Sequence, residues 1–260
     1  MKISMINSLH SELLKIKNSA ALWLVIGGSL FIPVIMLLIQ VSYPSKTAAK
    51  NITDTFWMAY YNDSWQSMAM FLLPMGIILV TSMLTQLEFK NNTWKQLYSS
   101  PQPLSSIFLV KLKVIFLLMV LFFILFIFGM YASVIIPALL FKAIPLPSDS
   151  FPLWDYMRWS SLYFLDCLPI IALQYLISLR FKNFLVPVGV GFALIIASMF
   201  ALSWNYGYTF PYIYTSLNYF QFAGVERSAS QFNIHWLAFG YFVAITFVNY
   251  LVFSRRTEKG

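Results

Sequence analysis

A chain of 260 residues that is 60% hydrophobic and 10% charged, with a mean hydropathy of +0.73, falls outside the composition of a soluble globular domain. One water-bounded core cannot bury that much apolar surface, so the composition points to an integral membrane protein. The net charge of +8 invites a nucleic-acid reading, which the placement of that charge removes.

At the start of the chain, Ile6, Leu9, Leu13 and Ile16 recur at helical spacing, and Lys2, His10, Glu12, Lys15 and Lys17 occupy much of the remainder. Residues 1–19 are therefore expected to form an amphipathic interfacial helix on the inner membrane surface, or a cytoplasmic extension of the first span. Six predominantly apolar runs follow, each near the roughly 20 residues that cross a bilayer. They extend roughly from Ala20 to Val41, Trp65 to Gln86, Val114 to Phe141, Trp159 to Leu179, Phe184 to Trp204 and Ile234 to Phe253. The first is too long for a signal-peptide core and lacks a small-x-small cleavage pattern, so it is expected to be a retained helix. The third is the longest, which predicts tilt, a kink near Gly129 or Pro137, or projection past the bilayer. Strands of a membrane barrel alternate polar and apolar residues, and the run from Phe116 to Phe128 does not.

Orientation follows from the lysines and arginines. With both termini in the cytoplasm, the inner segments hold twelve of them against Glu12, Glu88 and Glu258, while the outer segments balance five against five acids. The positive charge is thus inside bias and not a nucleic-acid footprint. Three outer segments are aromatic: 42–64 with Phe56, Trp57, Tyr60 and Tyr61, 143–158 with Trp154 and Tyr156, and 205–233 with Tyr206, Tyr208, Phe210, Tyr212, Tyr214, Tyr219, Phe220 and Phe222. Rings with polar tips suit the headgroup layer, so an aromatic belt is the default expectation. The alternative for residues 208–222 is a set of short, partly inserted helices shaping the mouth of a pathway.

The chain contains no phosphate-cradling P-loop, no HExxH, no GxSxG and no paired-acid motif, which argues against an enzyme. No catalytic residue, metal ligand or cofactor is expected in it. His10 and His235 fall on opposite sides of the membrane, and the single cysteine, Cys167, has no partner for an intrachain disulfide. Asp166 is the one acid deep in a predicted span, where a charge costs roughly 2.5–3.5 kcal/mol on insertion scales. Tyr163, Ile170 and Gln174 share roughly its side of the helix. That stripe is expected to face a pathway or a neighbouring subunit, or else to mark a hydrogen-bonded structural aspartate beside Pro169.

Between the second and third runs lies Glu88-Phe89-Lys90-Asn91-Asn92-Thr93-Trp94-Lys95-Gln96-Leu97-Tyr98, halted by Pro101-Gln102-Pro103 and followed by Lys111 and Lys113. Trp94, Leu97 and Tyr98 fall at i, i+3 and i+4, one face of a short helix at the water boundary. This is either a docking surface or a solvated turn.

Glu88, Phe89, Lys90, Thr93, Trp94, Leu97, Pro101 and Lys111, set among six spans with an amphipathic N-terminal helix and no P-loop, resemble the ABC-2 type permeases. The flavour is that of permease subunits of lantibiotic-immunity and bacitracin-resistance exporters in bacteria. The resemblance implies an all-α, type V exporter-like fold in a single transmembrane permease domain over 1–260, in the bacterial cytoplasmic membrane. It further implies a P-loop ATPase partner in two copies, which binds the ATP and Mg, and a second permease, identical or related. Residues 88–113, with Glu88 to Tyr98 and Pro101, become the cytoplasmic coupling segment, and Arg180 and Lys182 a second inner contact. Tyr163, Asp166 and Gln174 are candidates for the translocation pathway, and Tyr208, Tyr212 and Tyr219 for an outer gate. The cargo implied is an amphipathic peptide antibiotic or another membrane-partitioned compound. Against this stand an ion- or proton-coupled carrier using Asp166 and a non-transporting sensor or scaffold.

Overall fold

A computed structural model describes residues 5–90, 104–225 and 233–254, with the side chains of 7–87, 105–225 and 233–253. Among these residues the fold is all-helical and contains no strand. Helix α1 (Met5–Ile16) ends at Asn18, whose φ of 72° turns the chain, and Ser19 caps α2 (Ala20–Ser42) by accepting from the Leu22 N–H. The turn separates α1 from α2, so α1 is not an extension of the first span. Pro44 opens α3 (Pro44–Asn51), because a proline is tolerated in the first turn of a helix but not within one. A continuous helical run then comprises α4 (Phe56–Ser67), a π-helical turn (Met68–Leu72) and α5 (Leu73–Lys90).

Helix α6 (Leu104–Leu140) has 37 residues, about 55 Å at about 1.5 Å per residue, and so projects beyond the hydrocarbon core. Lys111 and Lys113 therefore lie within its first turns. Helices α7 (Leu153–Arg180), α8 (Leu185–Ala201), α9 (Tyr214–Phe222) and α10 (Ile234–Ser254) complete the described chain, with a 3₁₀ turn at Gly207–Thr209. Among the described residues, five helical stretches are long and apolar enough to cross a membrane: Ala20–Ser42, Phe56–Leu87, Ser105–Leu140, Leu153–Arg180 and Ile234–Phe253. The run expected as a fifth span is α8, whose 17 residues cover about 25 Å of a hydrocarbon layer about 30 Å thick. It stops short of Trp204 because the chain folds back there. Gly207 lies so close to the Ala201 carbonyl that a Cβ at 207 would stand 2.1 Å from its oxygen.

In a bilayer, lipid tails are as apolar as leucine, so helices associate through close packing and polar pairs rather than through hydrophobic expulsion from water. Both devices are present. Helix α2 lies along α6, where a Cβ on Gly129 would meet Leu30 and Pro33 at 3.0 Å; α10 lies along α7. Helices α5 and α7 occupy the centre, with α8 on α5 and α9 on α7. At the end opposite α1, Trp65 stacks on Tyr163 with centroids 3.7 Å apart, and Tyr61 packs edge-on to Tyr156 and Trp159.

The aromatic belt expected in the outer segments is thus corrected. Phe56, Trp57, Tyr60, Tyr61, Tyr156, Tyr212, Tyr214 and Tyr219 are buried in protein, whereas Trp154, Trp204 and Tyr206 are exposed. The physical reason is that their polar tips find partners inside: the Tyr60 hydroxyl lies 2.6 Å from Ser133 Oγ, and Tyr156 donates to the Trp57 carbonyl at 2.7 Å.

Candidate functional site

Asp166 stands on α7 with no exposed surface. Its carboxylate bridges two other helices: Asn218 Nδ2 on α9 donates to Oδ2 at 2.7 Å, and His235 Nδ1 at the head of α10 lies 2.8 Å from Oδ1. His235 is positioned by Asn233, whose Oδ1 accepts from its backbone N–H at 2.9 Å. The imidazole retains 19% exposure, so a sealed carboxylate is joined to a ring that reaches the surface. Hydrogen bonds to a charged group contribute roughly 1.5–3 kcal/mol each, enough for two of them to offset the insertion cost of the acid. Neither Asn218 nor His235 stands out in the sequence. The available signal was a histidine at the head of an apolar run.

Two turns further along α7, Gln174 is also fully buried and joins three more elements. Its Nε2 donates to Ser82 Oγ on α5 at 3.0 Å and to the Pro187 carbonyl on α8 at 2.9 Å, while Oε1 accepts from the Tyr212 hydroxyl at 3.2 Å. Ser82 Oγ lies 3.2 Å from Ser178 Oγ, extending the chain toward the end of α7 at Arg180. Gly191 makes this possible, since a Cβ there would come within 2.8 Å of both Gln174 Oε1 and Ile78. The Tyr212 hydroxyl is the donor of its bond to Gln174.

The residues expected along a pathway and at an outer gate are therefore partly brought together. Tyr212 meets Gln174, and α9 beside it carries Asn218 to Asp166. Tyr163 is on the same side of α7 but stacks on Trp65, and among the described residues its hydroxyl has no hydrogen-bond partner. Tyr219 packs edge-on to Phe220, and Tyr208 takes part through its carbonyl, which accepts from the Tyr214 hydroxyl at 2.8 Å. The segment after α8 thus packs against α7.

At the α1 end, Glu12 accepts from Lys15 at 2.6 Å and from Lys111 at 2.8 Å, clamping α1 onto α6 with Lys111 buried. Within the amphipathic stripe of α1, Ile16 is buried while Leu13 is exposed. Gln86 Nε2 donates to the Phe181 carbonyl at 3.1 Å, tying the end of α5 to the turn that carries the exposed Arg180 and Lys182. The side chains of Glu88, Phe89 and Lys90, and all of Thr93, Trp94, Leu97, Tyr98 and Pro101, lie outside the described residues. Among the described residues, no three His, Cys, Asp or Glu side chains come together as metal ligands.

Residues 8–198, from α1 through nearly all of α8, match the family model described as ABC-2 family transporter protein. The chain belongs to that family. It is accordingly a multi-pass membrane permease of an ABC transporter, a transmembrane component that is not itself catalytic and that implies an ATPase partner. The match includes Asp166 and Gln174 of this ABC-2 permease and stops before Tyr212, Asn218 and His235, which complete both polar clusters. No curated protein and no solved structure matches the chain.

Proposed function

We propose that this ABC-2 permease is the membrane subunit of an ATP-driven exporter that expels an amphipathic peptide antibiotic or a similar membrane-partitioned compound. In this reading it sits in the bacterial cytoplasmic membrane with six crossings and both termini inside, paired with an identical or related permease. Two ATPase subunits bind ATP and Mg beneath it. The short α8 supplies the additional crossing, with local thinning of the bilayer to match its length.

The observation that carries the reading is how the elements converge at the α1 end. Helices α5 and α6 bracket residues 91–103; α1 is clamped to α6 by Glu12 and Lys111, and the Arg180–Asn183 turn is tied to α5 by Gln86. A partner pressing on Glu88 to Tyr98 and Pro101 would displace α5, with Arg180 and Lys182 as the second contact. Displacement of α5 reaches Ser82, then Gln174, then Tyr212, so the push arrives at the segment proposed as an outer gate through Tyr208, Tyr212 and Tyr219. Tyr163, Asp166 and Gln174 are sealed in the present conformation, and a pathway along them opens as α5 and α7 separate.

Affinity purification of the full chain in mild detergent, with identification of every co-purifying polypeptide, tests this. The proposal expects a P-loop ATPase and a second permease chain. Recovery without an ATPase, together with ion-dependent transport lost on Asp166→Asn, would instead establish a secondary carrier; an ATPase indifferent to every candidate cargo would establish a sensor or scaffold.

A further inference from the structure

At the end of the bundle opposite α1, a cavity of about 280 Å³ opens between the last turns of α2, the short helix α3 and the start of α4. Its two halves differ in chemistry. Met36, Ile39 and Phe56 form an apolar wall, and one turn back from Ile39 the exposed Ile35 continues that wall along α2. The other half carries Lys46 and Lys50, four residues apart on α3 and so on one face of it. Lys46 Nζ lies 5.4 Å above the Tyr43 ring, and Lys50 Nζ is 3.7 Å from Asp63 Oδ2 in an exposed, weakly held pair. Two cations against one acid leave this rim positive.

Two polar side chains in the wall make this more than a patch of surface lysines. Gln40 is 7% exposed; the Tyr60 hydroxyl lies near its side chain, but among the described residues neither its Nε2 nor its Oε1 has a partner at hydrogen-bond distance. Asn51 has no exposed surface; its Nδ2 donates to the Pro145 carbonyl at 2.7 Å, whereas its Oδ1 has no partner among the described residues. Leaving such a buried group unmatched costs roughly 1–3 kcal/mol, so a helix end that keeps these atoms without close partners beside one cavity favours a ligand that supplies them. The required partners are an acceptor for the Gln40 amide N–H and a donor for the Gln40 and Asn51 oxygens. Adding the positive rim and the apolar wall defines an anionic amphiphile with hydroxyl groups beside its charge.

We propose that this cavity binds the headgroup of an anionic phospholipid carrying free hydroxyls, with its phosphate between Lys46 and Lys50, its hydroxyls toward Gln40 and Asn51, and an acyl chain on Met36, Ile39 and Ile35. The site is separate from the Asp166 and Gln174 clusters and does not depend on what the permease exports. Because α3 and α4 hold it together, occupancy fixes the far end of α2 against the central helical run.

The test is lipid titration of the purified full chain in mild detergent, read by native mass spectrometry, with phosphatidylglycerol, phosphatidylcholine and inorganic phosphate as separate probes. Phosphatidylglycerol is expected to bind at least about fivefold more tightly than phosphatidylcholine, the contribution of one lysine near a charged lipid. The Lys46→Gln/Lys50→Gln variant should lose that preference while leaving phosphatidylcholine retention unchanged, and Gln40→Leu should weaken phosphatidylglycerol without altering the elution volume of the protein. Millimolar phosphate should not displace the lipid. Equal retention of the two lipids by the unaltered chain, or phosphatidylglycerol binding by the double lysine variant at the original affinity, would overturn the proposal. Displacement by phosphate alone would overturn it as well, reducing the site to an anion contact.

Discussion

The pairing of Asp166 with Asn218 and His235 makes one carboxylate the junction of three helices, and its removal has a defined cost. Asp166→Asn keeps an oxygen to accept from Asn218 but turns an N–H toward His235 Nδ1, forcing the other tautomer, and takes the charge out of both bonds. A loss of about 1–3 kcal/mol in thermal unfolding of the detergent-solubilised protein is expected. Transport by the reconstituted complex should fall severalfold while membrane abundance is kept; normal transport at normal abundance would contradict a role for this group. Asp166→Asn combined with His235→Asn should cost less than the sum of the two single changes, since both remove the same contact. Gly191 offers a sharper steric test. Gly191→Ala drives a methyl into Gln174 and Ile78 and should cost about 1–3 kcal/mol, whereas Gly189→Ala, which faces open space, should leave the melting temperature unchanged. Asp166 is legible in the sequence because a charge in an apolar run is an anomaly. Its partners are not, because they lie 52 and 69 residues away and only the path of α9 and α10 brings them there.

Among the elements, α1 shows how a surface helix becomes part of the working end of the molecule. Its Glu12 meets Lys111, a residue on the second turn of a helix that also borders residues 91–103. Lys111→Met keeps the side-chain volume and removes the charge-assisted bond, so docking of α1 should weaken by about 1.5–3 kcal/mol, read as faster amide exchange in residues 7–16 with α7 unaffected. Unchanged exchange in α1 would mean that Ile16 and its apolar neighbours suffice to hold it. The helices themselves were readable from unbroken apolar runs such as Val114 to Phe141. Their ends were not: α4 begins nine residues ahead of Trp65, and α7 begins six ahead of Trp159. In both places aromatic residues with polar tips resemble a headgroup belt in one dimension, and only the packing of Tyr61 against Tyr156 and Trp159 reveals that they continue the helices. Residues 208–222 are ambiguous in sequence for the same reason. Tyr212 and Tyr219 would suit either a wet surface or a buried turn, and the deciding partner of Tyr212, Gln174, lies on another helix.

At the scale of the whole molecule, an ABC-2 permease must connect a water-exposed contact with an ATPase to a change deep in the bilayer. The connection proposed here runs from the ends of α5 and α6, through Ser82 and Gln174, to Tyr212 and the segment beside it. Ser82→Ala should therefore reduce transport more than it reduces ATPase turnover, because it interrupts transmission without touching the partner contact. The resemblance to ABC-2 permeases carried the expectation of an ATPase partner, and the six to seven turns of apolar helix made the membrane readable. The relay between them depends on three-dimensional pairs that periodicity does not encode. The most direct test of the coupling claim is to reconstitute the permease with its ATPase and measure hydrolysis and transport together for Glu88→Ala and Trp94→Ala. Basal ATP hydrolysis should persist while its stimulation by cargo and the transport of cargo are both lost, with membrane insertion intact. Full stimulation and full transport in both variants would contradict the assignment of residues 88–98 as the coupling segment.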